Sequence, residues 1–189
     1  MNDIFRGELV RLSADGLQVV AEAFSRWGRD SEYVRLLDDE PARLRSPKSV
    51  KEWLEKEFES GEDFRYFFTI HTLEGDQLIG FIGLFDVQWN HGNAWVGIGL
   101  GERDYWGKGF GTDAMLVLLR YAFDELNLHR VTLGAFEYNP RAIRSYEKAG
   151  FKHEGRGRKA ILRDGRRWDS IFMGILRDEW ERNHDNFST

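Results

Sequence analysis

The spacing of apolar positions changes character along the chain. Residues 8–12 read as a short first strand, and residues 15–37 and 47–59 carry apolar positions at helical spacing. Ser46-Pro47 gives the second of these segments an N-cap and a first-turn proline. The texture then turns β-rich. Residues 64–72 and 78–87 predict strands about the turn Glu74-Gly75-Asp76, and residues 94–100 predict a third. Residues 112–126, TDAMLVLLRYAFDEL, predict a strong helix, followed by a strand over 130–136. Asn139-Pro140 opens a further helix that Gly150 closes, with N-cap, first-turn proline and terminal glycine in their preferred places. Residues 151–162 and 166–176 flank Asp164-Gly165, a strong hairpin signal. Strands thus meander first and alternate with helices later. The expectation is one α+β domain around a mixed, largely antiparallel sheet flanked by helices.

Composition narrows this picture. A chain of 189 residues, 41% hydrophobic and 14% aromatic, holds one full-sized core and no more. It contains no repeat, low-complexity tract or linker, and no apolar run of the roughly eighteen residues that a membrane span needs. Its opening residues, MNDIFRGELVRLS, lack the basic-then-apolar order of a secretion signal. There are no cysteines, which excludes disulfides, thiolate metal sites and a cysteine nucleophile, so a cytoplasmic location is expected. A net charge of −5 argues against a general nucleic-acid binder, which needs a basic face. The five histidines show no metal-ligand spacing, and no metal is expected.

The candidate chemistry gathers in WVGIGLGERDYWGKGFGTDAM, residues 95–115. Strand geometry puts Val96, Ile98 and Leu100 on one face and Gly97, Gly99 and Gly101 on the other. Such a bare face admits either a closely packed helix or a ligand lying against backbone. Gly107, Gly109 and Gly111 then precede a helix that begins near Thr112, with Lys108 among them. Glycine-rich backbone before a helix N-terminus presents free N–H groups that suit phosphate oxygens. The loop is not a Walker motif, which needs Gly-Lys-Ser/Thr where this chain has GKGFGT. Gly109-x-Gly111-x-x-Ala114 fits the dinucleotide fingerprint, but residues 102–106 intervene where that motif needs a tight turn off the strand.

These residues resemble the GNAT N-acetyltransferases, and within them the branch of ribosomal-protein N-terminal and spermidine acetyltransferases. The family's coenzyme-A loop, Gln/Arg-x-x-Gly-x-Gly/Ala, falls on Trp106-Gly107-Lys108-Gly109-Phe110-Gly111, with Trp106 replacing the usual first residue. A second block, Asn-x-x-Ala-x-x-x-Tyr-x-x-x-Gly-Phe, matches Asn139, Ala142, Tyr146, Gly150 and Phe151. The likeness spans about residues 78–180, the expected acetyl-CoA-binding and catalytic part. Residues 1–62 fit less distinctively and are expected to form the helical acceptor side.

The resemblance implies a splayed central strand on which Ile98, Gly99 and Leu100 pair with the pantetheine arm of acetyl-CoA. It implies that main-chain amides from Trp106 through Gly107, Lys108, Gly109, Phe110 and Gly111 to Thr112 hold the pyrophosphate, with Asn139 and Ala142 also at the cofactor. Tyr146 would protonate the departing thiolate, a role its phenol suits because it stays protonated at neutral pH. The alternative for Tyr146 is a ring packed on Phe151 at the helix end. Arg141 and Lys148 are either phosphate contacts or solvated helix charges. The acceptor would be a primary amine: a protein N-terminus, a polyamine or a small-molecule amine. A homodimer is the family-style expectation.

Without a cysteine, direct attack by the amine in a ternary complex is the economical route. Relatives often carry an acid where this chain has Trp95, in Ala94-Trp95-Val96-Gly97. Glu137, Asp86, His91 or a water chain are the substitutes for a base, and none is assigned. Residues 37–40, Leu-Asp-Asp-Glu, form an acidic cluster that either steers a cationic amine or is a solvated loop. Trp27, Tyr33 and Trp53 either wall the acceptor pocket or fill the core. The missing acid leaves a non-catalytic acyl-CoA sensor as the rival reading.

Overall fold

A computed structural model describes residues 3–60 and 66–184. The predicted strand start at Phe64, and residues 1, 2, 61 and 62 of the expected acceptor side, lie outside them. The elements run β1 (Val10–Ser13), α1 (Leu17–Trp27), α2 (Ser31–Leu37), α3 (Pro47–Ser60), β2 (Tyr66–Thr72), β3 (Leu78–Gln88), β4 (Asn93–Leu100), α4 (Phe110–Arg120), β5 (Arg130–Phe136), α5 (Pro140–Lys148), β6 (Lys152–Arg163), β7 (Arg166–Leu176) and α6 (Arg177–His184). The strands form a seven-stranded mixed sheet in the order β1-β2-β3-β4-β5-β7-β6. Only the β4–β5 pair is parallel, and α4 makes the crossover such a pair requires.

The sequence reading does not predict α6, and the other helices differ from the periodicity in two places, each for a local reason. The predicted run over 15–37 breaks into α1 and α2 at Gly28, whose N–H closes α1 onto the Phe24 carbonyl at 2.8 Å. Asp30 then restarts the helix, accepting from the N–H groups of Glu32 (3.0 Å) and Tyr33 (3.3 Å). The predicted helix over 112–126 begins earlier, at Phe110, because Gly109 turns the chain with φ of 95°. It ends in a π turn, Tyr121–Glu125, where the Leu126 N–H donates to Tyr121 five residues back at 3.1 Å. The hairpin forms as expected. Asp164 and Gly165 take φ values of 51° and 70°, both positive as a two-residue turn of this type requires.

The first strand starts two residues later than predicted because a side chain claims its backbone. Asp113, in the first turn of α4, is buried and accepts from the N–H groups of Glu8 (3.0 Å), Leu9 (2.8 Å) and Val10 (2.9 Å). One turn pair further on, Arg120 donates to the carbonyls of Ile4 (2.8 Å) and Arg6 (2.7 Å). The N-terminal segment is thereby clamped along α4. The opposite face of α4 buries Ala114, Met115, Leu118 and Leu119 in the core with Ile70, Ile82, Val96 and Val131. A smaller apolar cluster joins Val20 and Ala21 of α1 to Val50 and Leu54 of α3.

What positions the site is a divergence inside the sheet. β4 pairs with β3 along its whole length to Leu100, but with β5 only at Asn93–Arg130, Ala94–Val131 and Trp95–Thr132. β5 in turn stays paired with β7 out to Phe136–Ser170. Beyond Trp95 the two central strands therefore part, which is the splay expected.

Asp113→Ala removes the acceptor of three backbone donors, of which that of Val10 is buried. Urea denaturation is expected to report a loss of about 2–3 kcal/mol, the scale of bonds to a carboxylate and one stranded buried donor. Asp124→Ala, at an exposed position, is expected to change stability by less than about 0.5 kcal/mol.

Candidate active site

Where the hydrogen bonds of β4 go can be read from one contact. The Gly101 N–H donates to Ile79 of β3 at 2.9 Å, so by alternation Gly99 and Gly97 also address β3. Ile98 and Leu100 then direct their main-chain groups toward β5, which has already turned away. The Leu100 carbonyl finds a substitute partner in the Trp106 indole N–H at 2.7 Å. The splay thus exposes a short strand edge inside the sheet.

This edge opens onto a cavity of about 240 Å³ between β4, the loop of residues 106–112 and α5. Ile98, Gly99, Leu100, Trp106, Gly107, Gly109, Gly111, Thr112, Asn139, Ala142 and Tyr146 all line it. Lys108 and Phe110 do not. Lys108 is exposed, and the Phe110 ring turns away to meet Tyr105 edge-on at 4.9 Å. The first turn of α4 points its unpaired N–H groups at the loop, as every helix N-terminus does. Trp106 has a second function. Its ring lies 4.0 Å under the Arg141 guanidinium, while Arg103 approaches it at 5.1 Å.

Arg103 is neutralised by Asp30 and Glu32. Arg141 is not. Among the described residues Arg141, Arg144 and Lys148 form no ion pair, and all three line the cavity with Ser145. Burial lowers the pKa of Arg141, Arg103 lowers it further and Glu32 opposes the shift. Three unpaired cations in an acidic chain, beside a helix N-terminus, fit a ligand rich in phosphate. Arg144 and Ser145 escaped the sequence reading. Their signal was the spacing 141, 144, 145 and 148, which places all four on one face of α5.

At Gly99 and Gly101 the bare glycine face is covered by side chains. A Cβ on Gly101 would fall 1.9 Å from the Trp27 ring, and one on Gly99 would fall 2.6 Å from Phe81 and 2.9 Å from the Tyr33 hydroxyl. These glycines exist so that aromatic side chains of β3, α1 and α2 can lie on backbone. The free surface of β4 is its edge. Trp27 and Tyr33 are both buried, and Trp27 donates through its indole N–H to Glu102 at 2.8 Å.

Tyr146 packs at the end of its helix and also lines the cavity. The Phe151 N–H bonds to the Tyr146 carbonyl and the Gly150 N–H to Glu147, each at 3.0 Å, and Gly150 takes φ of 102°. The Tyr146 ring contacts Phe151 at 6.2 Å, yet the side chain still lines the cavity. No protein group hydrogen-bonds its hydroxyl among the described residues. Burial pushes its pKa up to about 12. Asn139 caps α5 through the Ala142 N–H at 3.2 Å and reaches the Leu36 carbonyl at 3.4 Å. Thr112 and Ser145 share a hydroxyl bond of 2.8 Å across the cavity floor.

None of the three candidate bases lines this cavity. Glu137 is exposed and accepts from the Asp169 N–H at 3.0 Å. Asp86 is exposed at a β3 irregularity, and His91 sits beside Asn90 in the β3–β4 turn. Trp95 occupies the last parallel pair, opposite Thr132. A second, larger cavity of about 690 Å³ adjoins the first across Tyr33 and Leu37 and is walled by α1, α2, α3 and the glycine face. Of the acidic cluster, Asp38 and Glu40 line it and Asp39 does not; Trp53 lines it too.

The sequence profile of the acetyltransferase (GNAT) domain matches residues 11–152. The prophage-derived N-acetyltransferase YokL of Bacillus subtilis is 35% identical over 155 residues, covering 78% of this chain and 85% of that protein. The spermidine N(1)-acetyltransferase of Vibrio cholerae is 28% identical over 139 residues, covering 68% and 80% respectively. Among solved structures, spermidine N-acetyltransferase from Vibrio cholerae in complex with CoA and spermine superposes with a TM-score of 0.79 at 24% identity, over 90% of this chain and 97% of that one. A dodecameric structure of the same enzyme gives a TM-score of 0.74 at 24% identity, over 92% and 97%.

Gly109 is the hinge between loop and helix, and its φ of 95° is one that a side chain resists. Gly109→Ala is expected to cost about 1–3 kcal/mol in thermal or urea unfolding. Gly134→Ala, where a methyl group meets open space, is expected to change stability by less than about 0.5 kcal/mol.

Proposed function

The chain belongs to the GNAT acetyltransferase family, and from that premise we propose how its residues divide the transfer of acetyl from acetyl-CoA to an amine. The observation that carries this reading is the meeting of three features in one cavity: the unpaired β4 edge, the glycine loop with its cations, and Tyr146. Acetyl-CoA supplies a thioester on a long amide-bearing arm that ends in phosphates. Ile98 and Leu100 pair with the arm as a missing strand would. Main-chain amides of residues 106–112 hold the pyrophosphate, including those of Lys108 and Phe110, whose side chains lie elsewhere. Arg141, steadied on Trp106, and Arg144 and Lys148 add charge. Asn139 and Ala142 close the cavity at the start of α5.

The amine nitrogen bonds to the acetyl carbon as the carbon–sulfur bond breaks. Tyr146 gives its phenolic proton to the leaving sulfur, and the proton lost by the amine goes to water, from which Tyr146 is restored. A main-chain N–H of Ile98 or Leu100 supports the developing oxyanion. With tryptophan at position 95, deprotonation of the amine falls to solvent, because only on the order of 0.1% of an amine with pKa near 10.4 is neutral at pH 7.

The same reading treats the chain as one domain, with residues 1–62 on the acceptor side and 78–180 on the cofactor side. No helix among the described residues is long and apolar enough to cross a membrane. That supports a cytoplasmic location, and the dodecameric neighbour supports self-association. The relatives are named as transferases, which favours catalysis over a sensor role.

Thiol release from acetyl-CoA with an amine panel tests the assignment. Tyr146→Phe is expected to lower kcat by about 10²-fold while calorimetric CoA affinity is unchanged; equal loss of both would move Tyr146 out of the chemistry. The pH dependence follows from the direction of its shift. Since Tyr146 is held at about 12, its proton is present throughout the assay range. The rate with wild-type protein is expected to climb with pH as the amine deprotonates. No fall from Tyr146 ionisation is expected below about pH 10, the ordinary phenol value.

A further inference from the structure

Two residues line both cavities, Tyr33 and Leu37, and of these only Tyr33 carries a polar side-chain atom. Tyr33 is 6% exposed, and its surroundings fix it from several sides. Asp30 accepts from the Tyr33 N–H at 3.3 Å, and Arg103 donates to Asp30 at 2.6 Å. The Trp27 ring meets that of Tyr33 edge-on, with centroids 6.2 Å apart. Further along α2, the Arg35 and Leu36 carbonyls accept from Tyr138 and Asn139 at the end of β5.

The hydroxyl alone is left without a protein partner among the described residues. Nor is it sealed in. Among those residues, the fully enclosed side-chain polar atom that lacks a partner is Arg120 Nε. The Tyr33 hydroxyl therefore faces open space. It lies 2.9 Å from the position of a Cβ on Gly99, so a glycine there lets it come down onto β4. The main-chain groups of Gly99 address β3 and give it no bond. A tyrosine buried to this degree normally finds a partner for its hydroxyl, which points to one supplied by a ligand.

Tyr146 offers the contrast. Its phenol lines the smaller cavity and not the larger one. Tyr33 instead stands in the passage between them, where an amine entering from the larger cavity reaches β4. Burial raises its pKa above the ordinary phenol value, so the group stays neutral and cannot serve as a base. A neutral phenol oxygen can still accept from an N–H. An amine held in that way keeps its lone pair free for the acetyl carbon.

Resting on the acetyltransferase reading above, we propose that Tyr33 receives the acceptor: its hydroxyl oxygen takes a hydrogen bond from an N–H of the incoming amine and so turns the nitrogen lone pair toward the thioester. Tyr33 neither gains nor loses a proton. The nitrogen–carbon bond forms, the carbon–sulfur bond breaks and the amine's proton passes to water. Because the contact is with nitrogen, its effect is the same whatever skeleton the amine carries.

Calorimetry on the full chain tests this without a known acceptor, using CoA and S-(N-ethylcarbamoylmethyl)-CoA. The second is a thioether whose amide N–H takes the place of the amine's. Tyr33→Phe is expected to weaken the thioether about three- to tenfold, the worth of one hydrogen bond, and CoA less than about twofold. Its urea midpoint is expected to equal or exceed that of the wild type, since no protein bond is lost. In thiol release, each amine that turns over is expected to lose kcat/KM by about that same three- to tenfold, with KM for acetyl-CoA within about twofold. A thioether that the wild-type protein does not bind, equal weakening of both ligands, weakening of neither, or a kinetic loss confined to one skeleton overturns the proposal and leaves the cofactor site standing. Absence of CoA binding to the wild-type protein removes the acetyltransferase site itself.

Discussion

A strand inside a sheet does not leave its main-chain groups unpaired without a cost of about 1–3 kcal/mol for each that is buried. β4 meets this constraint beyond Trp95, where β5 diverges and Ile98 and Leu100 face an opening. The divergence is held from the far side. Tyr138 bonds to the Arg35 carbonyl at 3.1 Å, Asn139 to Leu36 at 3.4 Å, and Arg163 to the carbonyls of Asp38 (2.5 Å) and Glu40 (3.0 Å). The end of β5 and the hairpin are thus tied to α2 instead of to β4. An edge kept open by contacts elsewhere is a template for an added strand, and amides along a ligand arm satisfy it as a polypeptide would.

The electrostatics follow the same division. The chain carries a net charge of −5, yet the cations that line the smaller cavity have no acidic partner among the described residues. Elsewhere arginines are spent in pairs: Arg103 on Asp30 and Glu32, Arg35 on Asp164 at 2.5 Å, Arg156 on Asp169 at 2.9 Å. Trp106 explains how a chain without the family's usual first loop residue manages. Its indole N–H caps Leu100 and its face supports Arg141, so one side chain ends the strand and aims a cation.

Much of this was legible in the sequence because its determinants are local. The hairpin at Asp164-Gly165 and the helix from Asn139-Pro140 to Gly150 each depend on φ restrictions within a few residues, and each formed as read; the glycine loop ends sooner than read, with Gly111 already inside α4. What escaped depends on contacts across the chain. The start of β1 moved because Asp113, more than a hundred residues away, captures its N–H groups. The glycine face of β4 was readable as bare, with a packed helix or a ligand as its two alternatives; that Trp27 and Tyr33 are what covers it is set by the fold. Arg144 and Ser145 were readable as sharing a helix face, but which face met the cavity was set by the packing of α5. The base was not legible because the position that often carries it holds Trp95, and none of Glu137, Asp86 and His91 lines either of the two cavities described.

The two sides of β4 now have different uses, and this limits how the reactants can meet. The edge is open toward α5, whereas the glycine face is covered by rings that also wall the larger cavity. The two linings adjoin at Gly97 and Ile98, which is where, on the acetyl-transfer reading proposed above, reactants entering from the two sides would meet. Tyr33 and Leu37 border both spaces. The Tyr33 hydroxyl lies against Gly99, and burial raises its pKa, so it stays a neutral donor beside the strand. A change in the seating of α2 therefore alters both cavities at once. The hydrogen bonds from Tyr138 and Asn139 to α2 hold that helix in place; on the acetyl-transfer reading proposed above they would bear on the separation of the reactants, the quantity on which direct transfer depends most steeply.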